Sequence, residues 1–382
     1  MKVFMISQGY PSKEYPMNGI HQYAYATALK KHGIDVVFLA LDVRSFRRKR
    51  RWGYESLVID DIPVYAMNIP LGRLSPKIMG KISSYGFKIL MKRVVEIEGV
   101  PDIIHSHFTE TSYAVALYNK GNYPFVVSEH ASNVNKTSVD DIPSKLYETA
   151  NFTYHNCDKL VVGSPVFQKR LGKLFNVKPI CIPTIANTDF FDITDTPSGR
   201  YKIVSVGNLK HAKGHREVIR AFHNAFTNVD AELVIIGEGE DRQTLESIIK
   251  ELGESKRIKL MGQQNLNTIA QVFSKSNLFI LASHSETYGK VYVEAMNAGL
   301  PIITTRNGGS EQFVKPFNGT IANVDDVESL TEAFRHMYNM RDGFNSTEIR
   351  HYAQENFSEA VATRKHIDLY KELINEKKLA ES

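Results

Sequence analysis

The sequence predicts an α/β protein of two Rossmann-like domains, each a doubly wound parallel sheet, and three observations predict it. At 382 residues the chain exceeds one ordinary core, and two domains of about 150–200 residues are the natural division. Short apolar runs alternate with amphipathic stretches along the whole length, the pattern of βα units that feed a parallel sheet. A polar segment with Pro and Gly, residues 192–200, is followed at once by a fresh apolar run. We therefore expect one domain over 1–192, a second over 200–357, and a final helical segment over 358–382.

The first apolar run, residues 2–6, reads as a buried strand and not as a signal peptide, because Gly9, Pro11 and Lys13 follow too soon. Further strands are expected at 35–41, 63–68, 102–106, 124–128, 159–163 and 180–183, with helices at 19–32 and 144–156 among them. In the second half, strands are expected at 202–206, 232–236, 257–260, 277–282 and 301–304. The intervening helices fall at 215–226, 240–252, 267–274, 290–299 and 327–340. The last helix, 358–377, carries Val361, Ile367, Leu369, Tyr370 and Leu373 as its apolar positions. Open α/β sheets bind ligands beyond the carboxyl ends of their strands, and two such domains are expected to share a cleft there.

Composition excludes several classes. No run of about 18 apolar residues exists, so nothing is expected to span a membrane. Cys157 and Cys181 are the only cysteines; they give no disulfide or metal framework and suit a reducing cytoplasm. His105 and His107 share one strand face, but two ligands without a third do not make a metal site. Gly237-Glu238-Gly239 is no dinucleotide fingerprint, since Arg242 stands where a third Gly is needed.

The net charge of +5 is unevenly spread. Residues 1–100 hold 16 Lys/Arg against 8 Asp/Glu, a balance of +8, and the remainder is −3. Residues 44–52 pack Arg44, Arg47, Arg48, Lys49, Arg50 and Arg51 together with aromatic Phe46 and Trp52. Residues 73–95 interleave Arg73, Lys77, Lys81, Lys88, Lys92 and Arg93 with Ile78, Met79, Ile82, Phe87, Ile89, Leu90 and Met91. Such a pattern fits peripheral docking on an anionic membrane surface; the alternatives are a solvated loop followed by an ordinary core helix, or a groove for a soluble anion. Nucleic acid is not expected, because no recognition module accompanies the charge.

The most specific chemistry lies in Ser283-His284-Ser285-Glu286-Thr287-Tyr288-Gly289-Lys290-Val291-Tyr292-Val293-Glu294-Ala295-Met296-Asn297-Ala298-Gly299-Leu300-Pro301. A strand ends near Ser283 and Gly289 opens a helix. A helix start presents unpaired N–H groups that attract phosphate, and Gly289 lets a ligand approach them closely. Glu286 and Glu294 then flank that start, able to bind hydroxyl groups on either side of the phosphates.

This stretch resembles the signature of the family 4 retaining glycosyltransferases of the GT-B fold, enzymes of bacterial polysaccharide and glycan assembly. Other pieces match in order: Gly19; Asp102-Ile103-Ile104-His105-Ser106-His107; Ser128-Glu129-His130; Asn187-Thr188-Asp189-Phe190-Phe191; Val206-Gly207-Asn208-Leu209 with Lys213-Gly214; Ile236-Gly237-Glu238-Gly239; and Gly308-Gly309-Ser310-Glu311. The resemblance implies that Lys213, Glu286 and His130 serve transfer, and that Gly19, Asn208, Gly289, Lys290, Val291 and Glu294 bind the donor. It also implies closure of the domains on the donor and a final helix that packs back on the first domain. Where the family has Arg, this chain has Asn208, which brings no charge; Lys210 is the nearest substitute. No Asp-x-Asp occurs, which agrees with transfer that needs no metal and no cofactor.

The expected function is thus retaining, metal-independent transfer of a sugar from a nucleotide-sugar, a UDP-sugar by preference. The acceptor would be a glycan or lipid-linked molecule in cell-surface assembly, at the cytoplasmic face of the membrane. A nucleotide-sugar epimerase of the same architecture and a catalytically silent sugar-nucleotide-binding subunit remain as alternatives.

Overall fold

The computed structural model describes residues 1–45, 50–71, 74–186 and 199–381. Contacts between residues divide the chain into two units, Met1–Ile185 with Ala362–Ser382, and Ala186–Val361. The expected divisions stood at 192–200 and 357/358. The family-like segment 187–191 and most of the expected linker lie outside the described residues, as do Phe46, Arg47, Arg48, Lys49 and Arg73.

Unit 1 runs β1 (Lys2–Ser7), α1 (Ile20–Lys31), β2 (Asp35–Arg44), β3 (Gly53–Ile59), β4 (Ile62–Pro70), α2 (Pro76–Glu98), β5 (Ile103–His107), α3 (Thr109–Asn119), β6 (Phe125–Glu129), α4 (Ser144–His155), β7 (Lys159–Val162), α5 (Pro165–Phe175) and β8 (Ile180–Cys181). The sheet order is β3-β4-β2-β1-β5-β6-β7-β8. All pairings are parallel except β3 with β4. Strand β3 was not expected from the sequence. It pairs through Asp60-Asp61, both with positive φ, as a two-residue hairpin requires. As a half-exposed edge strand it carries no continuous apolar run.

Val3 to Ile6 are fully buried because helices cover both faces of the sheet. Phe4 and Ile6 join Phe87, Leu90 and Met91 of α2 on one face. Val3 and Met5 join Tyr25, Ala26 and Leu29 of α1 on the other.

Unit 2 runs β9 (Tyr201–Val206), α6 (His215–Ala225), β10 (Ala231–Ile236), α7 (Arg242–Glu251), β11 (Ile258–Leu260), α8 (Leu266–Ser274), β12 (Leu278–Ile280), α9 (Lys290–Asn297), β13 (Ile302–Thr305), β14 (Gly319–Ala322), α10 (Val327–Asn339) and α11 (Ser346–Phe357). Its sheet, β11-β10-β9-β12-β13-β14, is parallel throughout. Helix α12 (Glu359–Glu381) returns to unit 1, where Ala362, Leu369, Tyr370 and Leu373 join the α1 face of the sheet.

In each sheet the order of strands reverses beside the first strand. The switch points lie between β1 and β5 and between β9 and β12. The loops after β1, β9 and β12 carry Gly19, Lys213 and Glu286, while His130 follows β6 next to β5.

Candidate functional site

Unit 2 brings two of these loops together. After β9 the chain turns through Gly207 and Asn208, makes one 3₁₀ turn at His211–Lys213, and enters α6 through Gly214. Gly214 has φ 70°, and a Cβ there would stand 2.0 Å from the Ala282 carbonyl oxygen, so only glycine lets this turn lie on the end of β12. From the other side, the His284 N–H donates to the Ala212 carbonyl at 2.9 Å.

Two loops that are 73 residues apart in sequence thus place the Lys213 ammonium 2.5 Å from the Glu286 carboxylate. The Ser283 hydroxyl donates to the same carboxylate oxygen at 2.9 Å. The Glu286 N–H donates to the Asn307 carbonyl at 3.1 Å, and Gly309 packs closely on the Glu286–Thr287 backbone. Asn307 then accepts from Gly309 N–H and Ser310 N–H, each at 3.1 Å. Asn307 was not singled out from the sequence; an isolated Asn before a Gly pair gives no signal of such a clamp.

Gly289, at φ 93°, is the left-handed entry to α9, and the first-turn N–H groups of Lys290 and Val291 have no acceptor within the helix. Lys290 and Glu294 stand one turn apart on this helix. Burial pushes the Lys290 ammonium down to about 8 and the Glu294 carboxyl up to about 7, each effect partly offset by the other's charge. Asn208 is exposed in its turn. His215, beneath the loop, is pushed down to about 4 by burial and is therefore a neutral support. A different unit 2 pocket, of about 570 Å³, includes Tyr201, Asn277 and Pro301. It lies at the amino ends of the strands, away from Lys213 and Glu286, where sheets of this kind do not bind ligands.

Gly19 and His130 lie in unit 1. Gly19 has φ 66°, and a Cβ there would meet the Gly9 carbonyl oxygen at 2.1 Å, so it shapes the turn between β1 and α1. His130 follows β6. Its Nε2 shares a 3.1 Å hydrogen bond with His107 Nδ1, and the two rings stack. Its N–H donates to Glu129 Oε1 at 2.9 Å.

Glu129 is fully buried and also accepts from Ala131 N–H, Thr109 N–H, the Thr109 hydroxyl and the Tyr154 hydroxyl. Desolvation raises its carboxyl. His105 stacks on His107 and on His366 of α12, and shares a 2.5 Å hydrogen bond with Tyr370. The histidines of β5 are therefore a packed, hydrogen-bonded stack. A pocket of about 1280 Å³ opens in the same unit beside the loop after β1 and the start of α2, lined by Tyr15, Met17, Leu41, Leu74, Met79 and Tyr113 among others.

The basic segments need two corrections. Arg50 does not present its charge to solvent: its side chain is 8% accessible, pairs with the fully buried Asp42 and donates to Asn68. Arg44 pairs with Asp42 as well, at 2.8 Å. In α2, Phe87, Leu90 and Met91 belong to the core, and Lys77 pairs with Glu148 at 2.6 Å. Among the residues that α2 exposes, Ile78, Lys81, Tyr85, Lys88, Ile89 and Lys92 fall at spacings of three and four that align them on one face; Pro76, Lys77, Arg93, Glu96 and Ile97 are exposed as well.

The chain matches two family models in succession, Glycosyltransferase Family 4 over residues 19–189 and Glycosyl transferases group 1 over residues 187–359. An uncharacterized glycosyltransferase of Methanocaldococcus jannaschii is 26% identical over 348 residues, 89% of either chain. The N-acetylgalactosamine-N,N'-diacetylbacillosaminyl-diphospho-undecaprenol 4-alpha-N-acetylgalactosaminyltransferase of Campylobacter jejuni is 25% identical over 240 residues, 57% of this chain and 65% of that one. Among solved structures, HepE of Anabaena in complex with UDP and glucose has a TM-score of 0.71 at 16% identity, covering 97% of this chain and all of its own. With two parallel-sheet α/β domains of the GT-B class and both family models matched in register, the chain belongs to the family 4 glycosyltransferases.

Proposed function

We propose that the protein transfers a sugar, with retention of anomeric configuration, from a UDP-sugar to a glycan or lipid-linked acceptor in cell-surface polysaccharide or glycoconjugate assembly. The observation that carries this reading is the Lys213–Glu286 pair at the β9/β12 switch point, beside the open amino end of α9. Departure of a nucleoside diphosphate builds negative charge on its phosphates. Lys213 and the first N–H groups of α9 offer positive charge fixed in advance, and a phosphate would displace Glu286 from Lys213 as a partner. Glu286 is then free to hold sugar hydroxyls, while Glu294 and Lys290 serve the nucleotide side.

In this reading no divalent cation neutralises the phosphates, and no group besides the two substrates is required. Retention follows from attack on the face the leaving group departs from, which asks for no nucleophilic carboxylate. A UDP donor is supported by the structure of HepE with UDP, and a lipid-linked acceptor by the name of the Campylobacter relative.

The test is a transfer assay of the purified chain with UDP-hexoses and UDP-N-acetylhexosamines, against oligosaccharide and polyprenyl-diphosphate acceptors. An α-donor should give an α-linked product by NMR, at an initial rate unchanged by excess chelator. A β-linked product, epimerised donor without acceptor, or a rate abolished by chelator and restored by magnesium would each overturn the corresponding part.

The acceptor side of this proposal is peripheral attachment to an anionic, cytoplasm-facing membrane. No helix of the described residues is long and apolar enough to cross one. The exposed α2 face combines Lys81, Lys88 and Lys92 with apolar Ile78, Tyr85 and Ile89, beside the pocket that Leu74 and Met79 line. Three basic residues near such a surface contribute about 3 kcal/mol, roughly a hundredfold in partition. Changing all three to Gln should lower recovery with anionic liposomes by about that factor at low salt, and salt should do the same to the unaltered protein. Equal recovery in the supernatant with neutral and anionic liposomes would refute attachment.

A further inference from the structure

Behind the loop that carries Lys213, three side chains from separate elements converge. Glu217 stands in the first turn of α6, His284 in the loop after β12, and Asp325 in the turn between β14 and α10. One ligand atom from each lies within 4.8 Å of the other two.

Two of those atoms are in an unusual state. Glu217 Oε2 and His284 Nε2 are both shut off from solvent, and among the described residues neither has a hydrogen-bond partner. They face each other at 3.9 Å, too far for a direct hydrogen bond. The Glu217 residue is 6% exposed. A carboxylate oxygen that deeply buried costs free energy unless something neutralises or bonds it. Asp325 is exposed, so the cluster opens to solvent on one side only.

We propose that Glu217, His284 and Asp325 bind one first-row divalent cation of the Zn²⁺ class, with water completing its coordination. One imidazole nitrogen with two carboxylate oxygens suits Zn²⁺ or Co²⁺ better than Mg²⁺ or Ca²⁺, which prefer all-oxygen sets. Ligands at about 2.0–2.2 Å from a common ion stand roughly 3–4 Å apart, so the observed spread closes with small side-chain rotations.

The cation would tie the start of α6, the loop leading to Glu286 and the turn before α10 to one point. Its role is to hold these segments in place. It is distinct from the phosphate-binding group that the proposed transfer does without, and the inference stands whatever sugar is moved. The His211 ring lies 5.0 Å from that of His284 and serves as the control imidazole beside the cluster.

The test uses the full chain, stripped with a chelator and then titrated with Co²⁺ and Zn²⁺. One Co²⁺ per chain should bind with visible d–d absorption, be displaced by Zn²⁺, and raise Tm. Asp325→Asn, an exposed change that leaves the fold intact, and Glu217→Gln should each weaken Co²⁺ binding at least tenfold and remove the Tm rise. His211→Ala should leave both in place. No saturable Co²⁺ binding below about millimolar concentration, or binding undiminished in both Asp325→Asn and Glu217→Gln, would overturn the site.

Discussion

Lys213→Ala is expected to lower kcat at saturating donor by about a hundredfold or more, with Tm nearly unchanged. The magnitude follows from the loss of one preorganised positive donor aimed at developing charge, which typically costs two to three orders of magnitude. The small effect on stability follows from geometry. Lys213 and Glu286 form a partly exposed pair, with 28% and 13% of their side chains accessible, and Glu286 keeps its bond from Ser283 when Lys213 is removed. Such a pair contributes about 1 kcal/mol or less.

The loss should appear mainly in kcat, because the charge Lys213 meets grows as the diphosphate departs. Glu286→Ala should lose activity comparably, since it removes the sugar-side contact and leaves Lys213 without its fixed neighbour. Asn208→Ala, an exposed position, should cost far less than Lys213→Ala. Near wild-type turnover by Lys213→Ala would remove the phosphate assignment, and equal losses at 208 and 213 would make the Asn208 amide a principal contact.

Glu129→Ala is expected to destabilise unit 1 by about 3–5 kcal/mol, because a buried donor left without its acceptor costs about 1–3 kcal/mol and several share this carboxylate. The carboxylate accepts from five donors, three of them the backbone N–H groups of Thr109, His130 and Ala131. Its removal takes the acceptor from the three N–H groups, while the Thr109 and Tyr154 hydroxyls keep each other at 3.0 Å, and the His130 N–H among them sits where that imidazole must be held against His107. Urea unfolding followed by circular dichroism should show a lower midpoint for the transition that includes unit 1. Glu129→Gln, which keeps a carbonyl oxygen, should fall between the two. A loss under about 1 kcal/mol for the alanine variant would show that the donors find other acceptors.

These two residues also mark how far the sequence could be read. The 283–301 segment is legible because a strand end, a glycine, a helix start and two carboxylates fall within one contiguous stretch. The alternation of β and α elements made the parallel sheets legible for the same local reason. Contact between Lys213 and Glu286 is a property of the sheet order, which places β9 beside β12, and no local spacing encodes it. Glu129 looked like part of a strand-end motif around His130; its place as a hydrogen-bond hub depends on burial by Thr109 and Tyr154.

Arg50 was misread because its neighbours in sequence are basic. Its neighbour in space is Asp42 of β2, whose carboxylate is sealed from water and draws in both Arg44 and Arg50. Strand β3 escaped notice because an edge strand needs no apolar run, and the helices of 73–95 and 358–377 each mixed core and surface positions that only packing separates.

The return of α12 to the first sheet bears on how the protein is made. On the ribosome, residues 1–185 emerge first, yet the α1 face of their sheet lacks Ala362, Leu369, Tyr370 and Leu373 until the far end of the chain appears. His105 likewise waits for Tyr370, 265 residues downstream. Unit 2 is continuous in sequence and is complete at Val361, immediately before the returning segment of unit 1. The half synthesised first is thus the half completed last, and for most of translation it presents an uncovered apolar face, the state in which a nascent chain most needs a chaperone.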